Sequence, residues 1–193
     1  MRRRDFMIST IVAAISAAYA GCTTTSGSGE SAATDMARRQ SIDASVDGAM
    51  SRLYTSVKGS RELVSKAQGV LVFPNVLQAG FIVGAQHGDG SLQVRGSTVG
   101  YYSTTSGSVG FTAGAQSKTI IFLFMTSDAL ARFRGSSGWT VAGDASVALV
   151  KVGANGTIDT TTATAPVEVI VMTNAGLMAD VSLAGTKVTP LKI

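Results

Sequence analysis

The stretch Gly107 to Met125, GSVGFTAGAQSKTIIFLFM, constrains the fold of this chain more than any other. In its first part Val109, Phe111, Ala113 and Ala115 alternate with Gly110, Thr112, Gly114 and Gln116, the two-residue period of a strand. Ser117-Lys118 reads as a turn. Ile120 to Met125 then gives six unbroken apolar residues, too few to cross a membrane and suited to a strand buried on both faces. Other layers must pack against such a strand. At 193 residues, 45% of them hydrophobic and 15% charged, the chain can build those layers as one domain. Twenty-two glycines against three prolines, with many Val, Thr and Ser residues, favour strands and turns over a helical bundle.

The first residues read as an export segment rather than as fold. Arg2-Arg3-Arg4, the uncharged run Phe6 to Ala20 and the small residues before Cys22 have the three parts of a bacterial signal peptide. Tyr19-Ala20-Gly21-Cys22 resembles a lipobox, with Tyr19 in place of the usual Leu, which implies a diacylglycerol thioether on Cys22. The chain has no other cysteine, so no intramolecular disulfide competes for this thiol. An ordinary secreted protein and an uncleaved anchor are the alternatives. Thr23 rather than Asp after the cysteine resembles sorting to the outer membrane, and acyl carbons at about 0.8 kcal/mol per buried CH₂ would hold the chain there. Arg3-Arg4-Asp5-Phe6-Met7 also resembles a twin-arginine signal, so both export routes stay open. Setting aside Arg2, Arg3, Arg4 and Asp5 leaves 13 of the 16 basic residues and 11 of the 12 acidic ones, too even a balance for nucleic-acid binding.

Residues Thr23 to Ala33, rich in Thr, Ser and Gly, read as a tether. From Met36 the pattern changes. Ile42, Val46, Ala49, Met50, Leu53 and Val57 recur at spacings of three and four, which predicts an amphipathic helix ended near Gly59. Ser60 is placed to cap a second, short helix that carries Glu62 in its first turn and Lys66 in its last. Arg38, Arg39, Arg52, Lys58, Arg61 and Lys66 make this segment modestly basic against Asp43, Asp47 and Glu62. Two readings stand for it: a face that touches anionic headgroups, or a solvated helix whose apolar stripe packs on a sheet.

From Gly69 onward closely spaced strands are expected at Val70 to Phe73, Ala79 to Gln86, Leu92 to Gly96, Thr98 to Ser103, Ser108 to Gln116 and Thr119 to Met125. Gly88-Asp89-Gly90 is the expected hairpin turn between the second and third. Ser127 and Asp128 would cap a short helix, Ala129 to Arg134, whose Leu130 and Phe133 face inward. Val147 to Val152 leads into a hairpin at Asn155-Gly156, and Val167 to Thr173 pairs through Asn174-Ala175-Gly176 with Leu177 to Leu183. Gly185 to Leu191 ends the chain.

The chemistry of catalysis has little to stand on here. A Ser/His/Asp hydrolase needs a positioned imidazole, and His87, the only histidine, sits beside the Gly88-Asp89-Gly90 stretch where exposure is expected. One histidine and one acylated cysteine make no zinc site. Asp89, Asp128, Asp144, Asp159, Glu168 and Asp180 are scattered without acid–base spacing. Ser117-Lys118-Thr119 fails as a phosphate loop, because Thr112 and Ser117 stand where glycines are required and a strand follows. An outer-membrane barrel would need strands of nine to eleven residues with aromatic girdles, which the sequence does not offer.

Four ordered blocks carry a family resemblance. Lys66-Ala67-Gln68-Gly69-Val70-Leu71-Val72-Phe73-Pro74, Ala79-Gly80-Phe81-Ile82-Val83-Gly84, Gly110-Phe111-Thr112-Ala113-Gly114-Ala115-Gln116 and the run from Asn174 to Gly185 resemble the signatures of the SYLF domain. That resemblance implies a lipid-binding domain with an N-terminal amphipathic helix in the contact; some members also bind actin, and bacterial members are often exported lipoproteins. The expected fold is α+β: N-terminal amphipathic helices packed on a curled, mostly antiparallel sheet that closes towards a barrel. The expected parts are a signal peptide at 1–21, a tether at 22–35 and one domain at 36–193. The expected function is non-catalytic contact with membrane phospholipids, Arg38, Arg39, Arg52, Lys58, Arg61 and Lys66 supplying attraction and the helix's apolar residues insertion. The alternative is a cell-envelope scaffold without lipid affinity of its own, bound to an envelope protein. No metal, nucleic acid or cofactor is expected beyond the diacylglycerol on Cys22.

Overall fold

The apolar run becomes the middle of a sheet. In the computed structural model, which describes residues 28–193 except 81–82, 110–113, 142, 145, 151–157, 159–164, 174–175 and 178–182, Ile120, Ile121, Phe122, Leu123 and Phe124 are each at most 1% exposed. Ile121 and Leu123 enter one hydrophobic cluster, and Ile120, Phe122 and Phe124 enter another on the opposite face. Residues 35–193 form one compact unit; of the unit that ends at Thr34, only the first turns of a helix are described.

The elements in chain order are helices α1 (Ser28–Ser56) and α2 (Ser60–Lys66), strands β1 (Gly69–Gly80), β2 (Val83–Val94), β3 (Ser97–Val109) and β4 (Gly114–Phe124), helix α3 (Ser127–Gly135), and strands β5 (Trp139–Thr140), β6 (Val147–Leu149), β7 (Val167–Thr173), β8 (Gly176–Leu177) and β9 (Lys187–Pro190). They form a single curled sheet in the order β5-β9-β3-β2-β1-β4-β7-β6, with β8 on β7. Among the described residues every pairing is antiparallel except β6 with β7. The α+β expectation holds, and the described strands end at β5 and β6 rather than closing on one another.

Each face has its own cover. Val70, Val72, Ile121, Leu123, Ile170 and Met172 meet the α1 stripe Ile42, Val46, Ala49, Met50 and Leu53, together with Val57 just beyond α1 and Leu63 of α2. On the other face Leu71, Phe73, Phe122, Phe124 and Val169 meet Leu130 and Phe133 of α3 and Trp139. Phe133 is central there, with ring centroids 4.8 Å from Phe124, 4.9 Å from Tyr102 and 5.6 Å from Trp139. We call this the aromatic face and the other the helix face.

Several local expectations change. Gly88-Asp89-Gly90 is no turn: it lies within β2, and the hairpin turn is Arg95-Gly96, both with positive φ (51° and 78°), as a two-residue connection requires. The glycines serve close approach instead, since a Cβ on Gly90 would lie 2.0 Å from the Val72 carbonyl oxygen. They face the bulge in β1 between Phe73 and Val76, which admits Pro74 into a central strand. Ser117-Lys118 continues β4 without a turn. Helix α1 starts at Ser28 rather than Met36 and takes in residues of the predicted tether. Ser60 does not cap α2; Gly59 (φ 85°) does, and the Ser60 hydroxyl turns back to donate to the carbonyls of Val57 (2.7 Å) and Leu53 (3.3 Å) at the end of α1. Thr126 rather than Ser127 or Asp128 caps α3, its Oγ1 accepting from the Ala129 N–H. The Asn155-Gly156 hairpin lies outside the described residues.

Candidate functional site

The six basic residues singled out in the sequence all lie on α1, α2 and their connection, but the fold divides them. The α1 stripe faces the sheet, so residues flanking the stripe reach side chains on its strands. Arg38 Nη2 makes an ion pair of 2.7 Å with Asp89 Oδ2 of β2. Arg39 donates to the Ile193 carbonyl and has its guanidinium 6.0 Å from the centre of the Tyr101 ring of β3. Arg52 donates to Thr119 Oγ1 of β4 (3.3 Å), whose hydroxyl donates to the Pro74 carbonyl in the bulge (2.8 Å). Asp43 adds to these contacts by accepting from the Tyr101 hydroxyl (2.7 Å) and the Thr98 hydroxyl (3.1 Å). Burial, followed by the hydrogen bond to the Asp43 carboxylate, pushes the Tyr101 pKa up to about 12.

The other three stand at the α1–α2 corner. Lys58, Arg61 and Lys66 are exposed. Arg61 lies over the Tyr54 ring at 4.3 Å from its centre, and Lys66 pairs with Glu62 one turn earlier at 2.8 Å. Both contacts are local to the helices and leave the cations at the surface, where ion pairs are weak. The corner itself is fixed from behind by the Ile158 N–H, which donates to the Lys58 carbonyl (3.1 Å).

The apolar stripe is not part of this surface. Leu53 and Val46 are fully buried, and Ile42, the most exposed of the six, is only 8% exposed. The outward face of α1 instead carries mostly small or polar residues, with Gln40, Ala44, Asp47, Gly48, Ser51 and Thr55 exposed; Met36, 61% exposed, is the large apolar side chain on its surface among the described residues. Insertion by the stripe, expected from the sequence, is therefore corrected: those side chains are the core. Cys22 lies outside the described residues.

His87 projects from β2 with 63% of its side chain exposed and its Nε2 3.6 Å from Asp89 Oδ1, beside the Arg38 ion pair. Among the described residues no three His, Cys, Asp or Glu side chains gather as metal ligands, and no helix is long and apolar enough to cross a membrane. Sequence reasoning misses two other charges. Glu168 on β7 is 2% exposed and accepts from the Ala165 N–H (3.0 Å); burial raises its pKa, opposed by that hydrogen bond. Lys118 lies half-buried within β4. Its signal is legible, since it is the only charged residue between Arg95 and Asp128, but the turn reading hides it.

Residues 105–192 match the model of the Ysc84 family, described as Las17-binding protein actin regulator. This is the SYLF family. The matched span runs from the second half of β3 through β4, α3 and the remaining strands, and contains two of the four SYLF blocks, at 110–116 and 174–185. The other two blocks, and α1 and α2 with their basic residues, precede it. No curated protein matches the chain.

Proposed function

We propose that this SYLF domain is a non-catalytic module that contacts phospholipid headgroups of a membrane to which an acylated Cys22 ties it. The observation that carries the reading is the exposed cationic corner Lys58, Arg61 and Lys66, on helices seated firmly on the sheet by Leu53, Val57 and Leu63. Cations at a rigid surface attract an anionic bilayer at about 1 kcal/mol each, without any helix having to leave the core. Arg38, Arg39 and Arg52 add to the field while mainly holding α1 to the sheet. The leader supports an outer-membrane lipoprotein facing the periplasm or the cell surface.

Co-sedimentation of the mature chain, residues 22–193 with Cys22→Ser, with vesicles of phosphatidylglycerol in phosphatidylcholine tests the reading. Binding at low salt that weakens as salt rises is the expected result; no binding at low salt would sink it. A second reading has a specific support in the family description, which names a protein partner. In that case acylation alone makes the membrane contact, and cross-linking in intact cells would yield an envelope protein while the unacylated chain ignores vesicles.

A further inference from the structure

The aromatic face of β4 ends in a charge. Going back along the strand from Phe122 and Ile120, the next residue on that side is Lys118, and the one after it is Gln116. Lys118 pairs directly with Val76 of β1, itself part of the aromatic core, so the two share that side past the bulge. Gln116 stands opposite Gln78, and Gln78 opposite Gln86, which places three carboxamides from three adjacent strands in one row beside the ammonium. Direct partners share a face about 5 Å apart, and the next row along a strand is about 7 Å away.

Lys118, Gln78 and Gln86 are half-buried and Gln116 is exposed. None of the four side chains has a hydrogen-bond or ion-pair partner among the described residues. Burial lowers the Lys118 pKa, and among the described residues no carboxylate opposes it. A partly desolvated cation costs the fold free energy unless something negative meets it, and carboxamide N–H groups are neutral donors that suit an oxyanion. A phosphate, with several acceptor oxygens in a tetrahedral arrangement, can take bonds from both rows at once, which a planar carboxylate does less well.

We propose that Lys118, Gln78, Gln86 and Gln116 form a binding site for a single phosphate group, the ammonium supplying the charge and the carboxamides the directional donors. The site deepens the headgroup reading and rests on it only for a lipid as the source of the phosphate; a free phosphate has the same chemistry.

Calorimetric titration of the mature Cys22→Ser chain with inorganic phosphate, beside co-sedimentation with phosphatidylglycerol vesicles, tests the site. Lys118→Met should weaken phosphate binding about tenfold, the loss of one charge-assisted bond, at a phosphate-free Tm no lower than the native protein's, while Lys118→Arg keeps it. Weakening in both arms assigns the site to a lipid headgroup, and weakening in the calorimetric arm alone assigns it to a free phosphate. Where Lys118→Met does not fold, Gln116→Glu at the exposed neighbouring position should give the same loss. Neutralising Lys58, Arg61 and Lys66 should leave phosphate binding intact whatever it does to vesicles, so the two proposals fail separately. Absence of phosphate binding by the unaltered site, unchanged binding in a folded Lys118→Met or Gln116→Glu variant, or its loss in the Lys58, Arg61 and Lys66 variant would overturn the assignment.

Discussion

Single positions in the sheet carry constraints of opposite kinds. Gly90 faces the aromatic core where a Cβ would meet the Val72 carbonyl oxygen at 2.0 Å, whereas nothing lies within 4 Å of a Cβ on Gly107. Gly90→Ala should therefore cost about 3 kcal/mol in urea unfolding, against a change within about 0.5 kcal/mol for Gly107→Ala. Equal effects would contradict the close approach of β2 to β1. Glu168 sits on the helix face in a row with Leu123 and Ala148. Its pKa is raised by burial, so the folded state holds the proton more tightly than the unfolded chain does. Its contribution is fully present below the ordinary carboxylate range and is lost as pH rises through the folded-state value. Glu168→Gln, which keeps an acceptor for the Ala165 N–H, should match the native protein near pH 4 and exceed its Tm at pH 8. A difference that does not vary with pH would show that the carboxyl is not desolvated.

At the scale of elements, the legible parts are those whose pattern is set by burial alone. The α1 stripe announces itself by its spacing, the apolar run of β4 by its continuity, and β7 by Val167 to Thr173, whose bounds the structure reproduces. What the sequence hides is set by contacts between distant segments. Gly88 and Gly90 look like turn residues, yet they are needed because the β1 backbone at Val72 and at the Phe73 to Val76 bulge presses its carbonyls against β2, and nothing near them in the chain announces that bulge. Lys118 looks like the tip of a hairpin because a cation between a glycine-rich strand and an apolar one is usually solvated. The basic residues can be found by eye, but their division into a sheet-bound group and a corner group depends on where Asp89, Tyr101 and Thr119 lie. Asp89 is 51 residues away from Arg38, and Thr119 is 67 away from Arg52. The correction to the stripe has a direct check. Leu53→Ala should lower stability by about 3 kcal/mol, as for any buried leucine, with vesicle binding of the remaining folded protein unchanged. A stable Leu53→Ala protein that no longer binds vesicles would return the stripe to the membrane.

For the whole molecule, the sheet acts as a support with two different covers: α3 and its aromatic neighbours seal one face, and α1 and α2 seal the other while presenting their cations outward. The central claim is that attraction to headgroups comes from the Lys58, Arg61 and Lys66 corner, with α1 staying on the sheet. The most direct measurement compares two triple variants of the mature Cys22→Ser chain in co-sedimentation with phosphatidylglycerol vesicles at fixed low salt. Replacing Lys58, Arg61 and Lys66 by Gln should lower the partition coefficient by about two orders of magnitude at an unchanged Tm, from about 1 kcal/mol per cation. Replacing Arg38, Arg39 and Arg52 by Gln should lower the Tm and weaken vesicle binding less. Undiminished binding in the corner variant would contradict the account.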